Sequence, residues 1–141
     1  MPFIANRYSR EKMESGVWLK YEGSDFLIRS ANSHAYLNIL DDEKSDADLG
    51  TDKLRRGLKL SAIEYDYTVS AHRLMLAAAR GLLVDWRGVK NSRGEDVEPT
   101  QENRYRALVD NPHFRVWFMA QANIMDNFQS DDYLEKHGEA A

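Results

Sequence analysis

Residues 82–100 read LLVDWRGVKNSRGEDVEPT, and the fold turns on how this stretch is taken. The apolar run Leu82-Leu83-Val84 ends a helix-like pattern and meets a lone Trp86. Asn91 to Gly94 supply turn chemistry, and Pro99-Thr100 closes the segment. Val84, Trp86 and Val89 before the turn, with Val97 after it, predict a short hairpin-like arm. An indole wasted on a polar loop makes no physical sense. Trp86 is therefore expected to be a large apolar anchor, with Gly94 in the turn and Val97 on the returning limb, pinning the arm to the rest of the chain.

Outward toward the N-terminus lies GVWLKYEGSDFLIRSA, residues 16–31. Val17, Leu19 and Tyr21 alternate with Trp18 and Lys20, and Phe26, Ile28 and Ser30 alternate with Leu27 and Arg29. Two alternating runs around the Gly-containing connection Glu22–Asp25 predict a β-hairpin. Asn32 or Ser33 is a helix cap for the stripe Tyr36, Leu37, Ile39 and Leu40. The acidic run DDEKSDADLGTD then reads as an exposed helix end or loop, and TDKLRRGLKL as one or two helical turns weakened by Gly57. Ser61-Ala62-Ile63-Glu64 fits a capping box opening the main helix, which runs to about Leu83. Tyr65, Tyr67, Thr68 and Val69 are poorer helix formers and blur its start.

Outward toward the C-terminus, Thr100 is placed to cap a helix over about 101–110. Asn111-Pro112 signals the start of another. Phe114, Trp117, Phe118, Ala122, Met125 and Phe128 recur at helical intervals and form its apolar face. The expectation is an α+β fold: a mainly helical single domain over 16–129 with an N-terminal β-hairpin and a second short hairpin-like arm around Trp86–Val97. Residues 1–15 are expected to be a flexible N-terminus and 130–141 a frayed tail.

The totals suit that size and class. The chain has 141 residues, 43% of them apolar and 30% charged, with a net charge of −4. One hydrophobic core fits a chain of this length. A mildly acidic balance argues against broad binding to nucleic acid or to anionic lipid, each of which needs a basic face. There is no cysteine, hence no disulfide framework and no thiolate nucleophile. The N-terminus lacks the apolar core of a signal peptide, and no apolar run approaches the roughly 20 residues that span a bilayer. A cytoplasmic location is expected.

Residue patterns that would signal chemistry are weak. His34, His72, His113 and His137 are scattered and form no metal-binding spacing. Asp46, Asp48, Gly50 and Asp52 faintly echo a calcium loop, but Thr51 stands where glycine is required and no Glu closes the loop. There is no GxSxG, GxGxxG or GxxxxGK[ST]. Lys53 to Lys59 is the sole basic cluster and reads most simply as a solvated turn. No catalytic residue, metal site or cofactor is expected. The aromatic stripe of the last helix reads first as core, but adjacent Trp117 and Phe118 point about 100° apart. One of them should reach the edge of the buried face, and apolar surface there would favour association.

The order of these segments resembles the tail assembly chaperones of long-tailed bacteriophages. The resemblance rests on Leu83, Trp86, Val89, Gly94, Val97, Thr100, Glu102 and Asn103. It continues through Ala107, Leu108, Val109, Asp110, Phe114 and Trp117 or Phe118, within a match from Val17 to Phe128. It implies a non-enzymatic factor of the host cytoplasm. Such a factor binds the tape-measure protein, keeps it soluble, helps recruit the major tail-tube protein and is absent from the mature virion. Trp117, Met119 and Met125 are the partner-binding candidates, because Met side chains adapt to varied surfaces. Self-association is compatible with this reading. The competing expectations are a small structural tail or virion protein, a nucleic-acid-binding regulator using Lys53 to Lys59, and an enzyme whose site is assembled from scattered residues.

Overall fold

Strand β1 (Val17–Tyr21) and strand β2 (Ser24–Ile28) pair antiparallel, with Tyr21 opposite Ser24. The connection is shorter than the sequence suggests: only Glu22 and Gly23 lie between the strands. Both have positive φ, 48° and 81°, the backbone signature of a two-residue type I′ turn whose twist matches that of the strands. The computed structural model describes residues 2–41 and 73–138. The acidic run beyond Asp41, the basic cluster Lys53 to Lys59, the calcium-loop echo and the capping box at Ser61 lie outside these described residues.

Strand β3 (Leu83–Arg87) adds to the hairpin, antiparallel to β2, so that the sheet order is β1-β2-β3. This corrects the sequence reading in two respects. The helix expected to run to about Leu83 ends at 81, and Trp86, expected in a separate hairpin-like arm, stands in a strand that joins the N-terminal hairpin. Phe26 and Trp86 are Cα partners, and a register shift separates Leu27↔Asp85 from Ile28↔Leu83. The arm is present beyond the strand. Lys90 and Asp96 form a bridge and an ion pair, Val97 N donates to Val89 O at 3.0 Å, and Asn91 N donates to Glu95 O at 2.9 Å.

Helical turns cover 10–15 (α1, Arg10–Ser15), 34–41 (α2), 73–81 (α3), Gln101–Asp110 (α4) and Pro112–Asn123 (α5). A 3₁₀ turn follows at Met125–Phe128, and a last helical piece begins at Asp131–Tyr133. Thr100 caps α4 as expected, its hydroxyl accepting from Asn103 N at 3.1 Å. Asn111 precedes α5 but does not cap it. Its amide instead donates to Ala107 O at 2.9 Å and finishes α4.

The expected apolar face of the last helix divides. Phe114, Phe118 and Ala122 are buried on α5, whereas Met125 and Phe128 follow a break at Ile124. The break has a visible cause: the Asn127 side chain donates to Gln121 O and Oε1, taking a carbonyl that another helical turn would use.

The core gathers Phe26, Ile28 and Trp86 from the sheet, Tyr36 from α2, Ala77 to Ala79 and Leu82 beside α3, Leu108 from α4 and the α5 stripe. Arg29 ties three parts together, donating to Glu14 O and Gly81 O through its side chain and to Leu82 O through its amide. The α2–α3 crossing is close at Gly81, where an added Cβ would lie 3.2 Å from Tyr36 Cα.

Both flanks expected to be loose carry structure. Ser9 caps α1 by accepting from Lys12 N, and Gly16 ends it. Tyr8 bridges Gln129, Ser9 N donates to Phe128 O, and Ser130 N donates to Arg7 O, each backbone bond 2.8 Å long. The reason is backbone satisfaction across the chain: each flank supplies the partner that the other lacks.

Candidate functional site

Two amino-acid preferences set the site geometry. Alternation along β1 and β2 turns Leu19, Tyr21 and Phe26 to one face of the sheet, and pairing of β3 brings Trp86 onto that same face. Phe114, near the start of α5, meets them. Its ring lies 4.8 Å from that of Phe26 and 5.6 Å from that of Tyr21, while Phe26 and Trp86 meet edge to face at 6.3 Å. The rings form the floor of an open cleft of about 230 Å³ between the hairpin tip, the 88–97 arm and the α4–α5 corner. Val89 and Ala107 add apolar walls, and Glu22, Ser24, Lys90 and Asn111 add a polar rim.

The floor is held by specific bonds. Trp86 is only 5% exposed, and its indole Nε1 donates to Val97 O at 2.7 Å, linking the strand to the returning limb of the arm. Gly94 takes no part in the cleft. It stands exposed in the turn with φ 80°, donating to Asn91 O, while Asn91 Oδ1 accepts from Arg93 N and Glu95 N. Ser24 Oγ donates to Gly88 O at 2.8 Å and fastens the arm to the hairpin tip. On the opposite side, the Arg104 guanidinium donates to Leu83 O and Val84 O. Burial draws its pKa below the usual arginine value, with Asp85 working against that effect.

The three side chains expected to bind a partner do not lie together as one exposed patch. Trp117 is half-buried with its ring 4.8 Å from Tyr21, so it backs the cleft from the α5 side. Met119 packs against the core. Met125 lies past the helix break, where its sulfur accepts from Asn32 Nδ2 at 3.3 Å. Larger apolar exposure on α5 belongs to Val116, at 69%. Sequence reasoning missed Tyr21, Phe26 and Glu22 as site residues. The hairpin alternation marks the first two as inward-facing, but only the pairing of β3 shows what they face.

Among the described residues, no group of three or more His, Asp or Glu side chains could hold a metal ion, and no helix is long and apolar enough to cross a membrane. His34, His113 and His137 are exposed on three separate elements, His137 stacking on Tyr133. Glu14 is a heavily hydrogen-bonded carboxylate. It accepts from His34 N and Ala35 N at the start of α2 and pairs with Arg10. Burial opposes its ionisation, yet those donors outweigh burial and hold the carboxyl below the usual glutamate value.

No curated protein and no solved structure matches the chain. The family described as YdaY prophage protein matches residues 28–139, which take in the third strand, the arm and both helices of the cleft but not the β1–β2 hairpin, and the chain belongs to that family.

Proposed function

We propose that this protein is a phage assembly factor that works by holding another chain and performs no bond chemistry: a tail assembly chaperone. In this reading it binds the tape-measure protein in the host cytoplasm, keeps it soluble, helps recruit the major tail-tube protein and leaves before the virion is complete. The observation that carries the reading is the cleft. Four positions of the chaperone-like motif, Trp86, Val89, Ala107 and Phe114, come from β3, the arm, α4 and α5 yet line this one concavity. Others support it from behind: Val97 holds the indole, Thr100 caps α4 and Leu108 is buried beneath. A prophage family is a fitting source for such a factor.

An aromatic-floored opening beside a helix corner suits docking of a helical segment by a few anchoring side chains. Co-expression with the prophage's tape-measure protein tests the reading. The client should be recovered in the soluble fraction only when this chain is present, and a client equally soluble or insoluble either way would refute it. Recovery of the chain in purified virions by mass spectrometry would instead make it a structural subunit.

A further inference from the structure

The charge at the cleft is one-sided. Lys90 is already engaged with Asp96, whereas Glu22, exposed at the hairpin tip, pairs with no other described residue. Glu22 also occupies a left-handed backbone position, φ 48°, where Asn or Gly would sit with less strain. The turn therefore gains nothing from glutamate, and what the residue adds is a carboxylate above the aromatic floor. At about 230 Å³ the cleft is smaller than an ordinary small-molecule site and has room for one long side chain.

We propose that the cleft accepts a Lys or Arg side chain projecting from the client helix. The aliphatic stem lies along Tyr21, Phe26, Trp86 and Phe114. The cation is drawn to Glu22 at the mouth, since the rings of Phe26, Trp86 and Phe114 are nearly buried and offer only apolar edges to the stem. An uncharged apolar side chain of the same length would cover Glu22 without giving its carboxylate a partner, which is unfavourable. The inference rests on the reading of the protein as a client-binding factor.

The test is an amide and indole NMR titration of the full chain with three synthetic helical peptides. They are identical except for a central Lys, norleucine or Glu. The Lys peptide should give saturable shifts at the Trp86 indole N–H and the Glu22 amide. The norleucine peptide should bind about two- to fivefold more weakly, and the Glu peptide more weakly still. In Glu22→Gln the difference between Lys and norleucine should vanish. Equal binding of Lys and norleucine, a preference that survives Glu22→Gln, or no saturable shift with any peptide would overturn the inference. If the tape-measure protein is still rescued in co-expression, those outcomes sink the cation site alone. Failure of rescue by the native chain sinks the functional reading.

Discussion

Replacing Trp86 by alanine removes a side chain that is 5% exposed, stands opposite Phe26 in the sheet and donates its N–H to Val97 O. Truncation of a buried Trp or Phe costs about 3–5 kcal/mol, combining lost burial with the cavity left behind. The lost bond to Val97 O adds about 1 kcal/mol and no more, since Val97 is half-buried and water can reach its carbonyl. For a domain of this size that corresponds to a fall of about 10–15 °C in melting temperature, read by circular dichroism. Trp86→Phe separates the two contributions. It keeps most of the ring and its contact with Phe26 but loses the donor, so it should cost about 1–2 kcal/mol. If Trp86→Ala melts within about 2 °C of the parent, the indole is not an anchor. If Trp86→Phe is indistinguishable from the parent, the bond to Val97 contributes nothing.

Two further perturbations probe the scaffold. Glu14→Gln weakens the cap on α2 and should cost about 0.5–2 kcal/mol near neutral pH. Because folding lowers the Glu14 pKa, its contribution is complete above the usual glutamate value of about 4.3 and is lost as pH falls through the lower folded value. The melting difference between Glu14→Gln and the parent should therefore hold constant from about pH 7 to about pH 5 and shrink only at more acid pH as the Glu14 carboxylate protonates, and a difference unchanged in acid would refute the assignment. Gly16→Ala should cost about 2–3 kcal/mol in urea denaturation. Gly16 has φ 92° and its added Cβ would lie 3.1 Å from Ile28 O, whereas Gly23→Ala, with φ 81° and open space around it, should cost only about 1 kcal/mol.

Local patterns carried much of the fold. The Val17-Leu19-Tyr21 alternation, the Thr100 cap and the Phe114-Phe118-Ala122 stripe are each decided by near neighbours, and each is found where the sequence places it. The partner of Leu83–Arg87 was illegible because it lies more than 50 residues earlier, and no short-range signal reports such pairing. Once β3 is set beside β2, Trp86 meets Phe26 and the cleft floor follows. The break at Ile124 was hidden because Met125 and Phe128 continue the apolar rhythm; the interruption lies in the extended backbone of Ile124 and in the bonds that Ile124 N and the Asn127 side chain make to Gln121 O. The first helix was legible but passed over. Ser9 ahead of Arg10-Glu11-Lys12-Met13-Glu14 and Gly16 just past the end are ordinary start and stop signals.

The seam between residues 6–9 and 128–130 makes the polypeptide a ring fastened without a covalent bond, its outermost hydrogen bond joining residues 124 apart. A closure this distant in sequence adds to the chain-entropy cost of folding and slows it. Because the two segments run antiparallel, tension entering through both flanks would unzip Asn6, Arg7 and Ser9 from Ser130 and Phe128 one contact at a time. The fastening would yield before the sheet felt the load, a mechanical fuse ahead of the aromatic cleft.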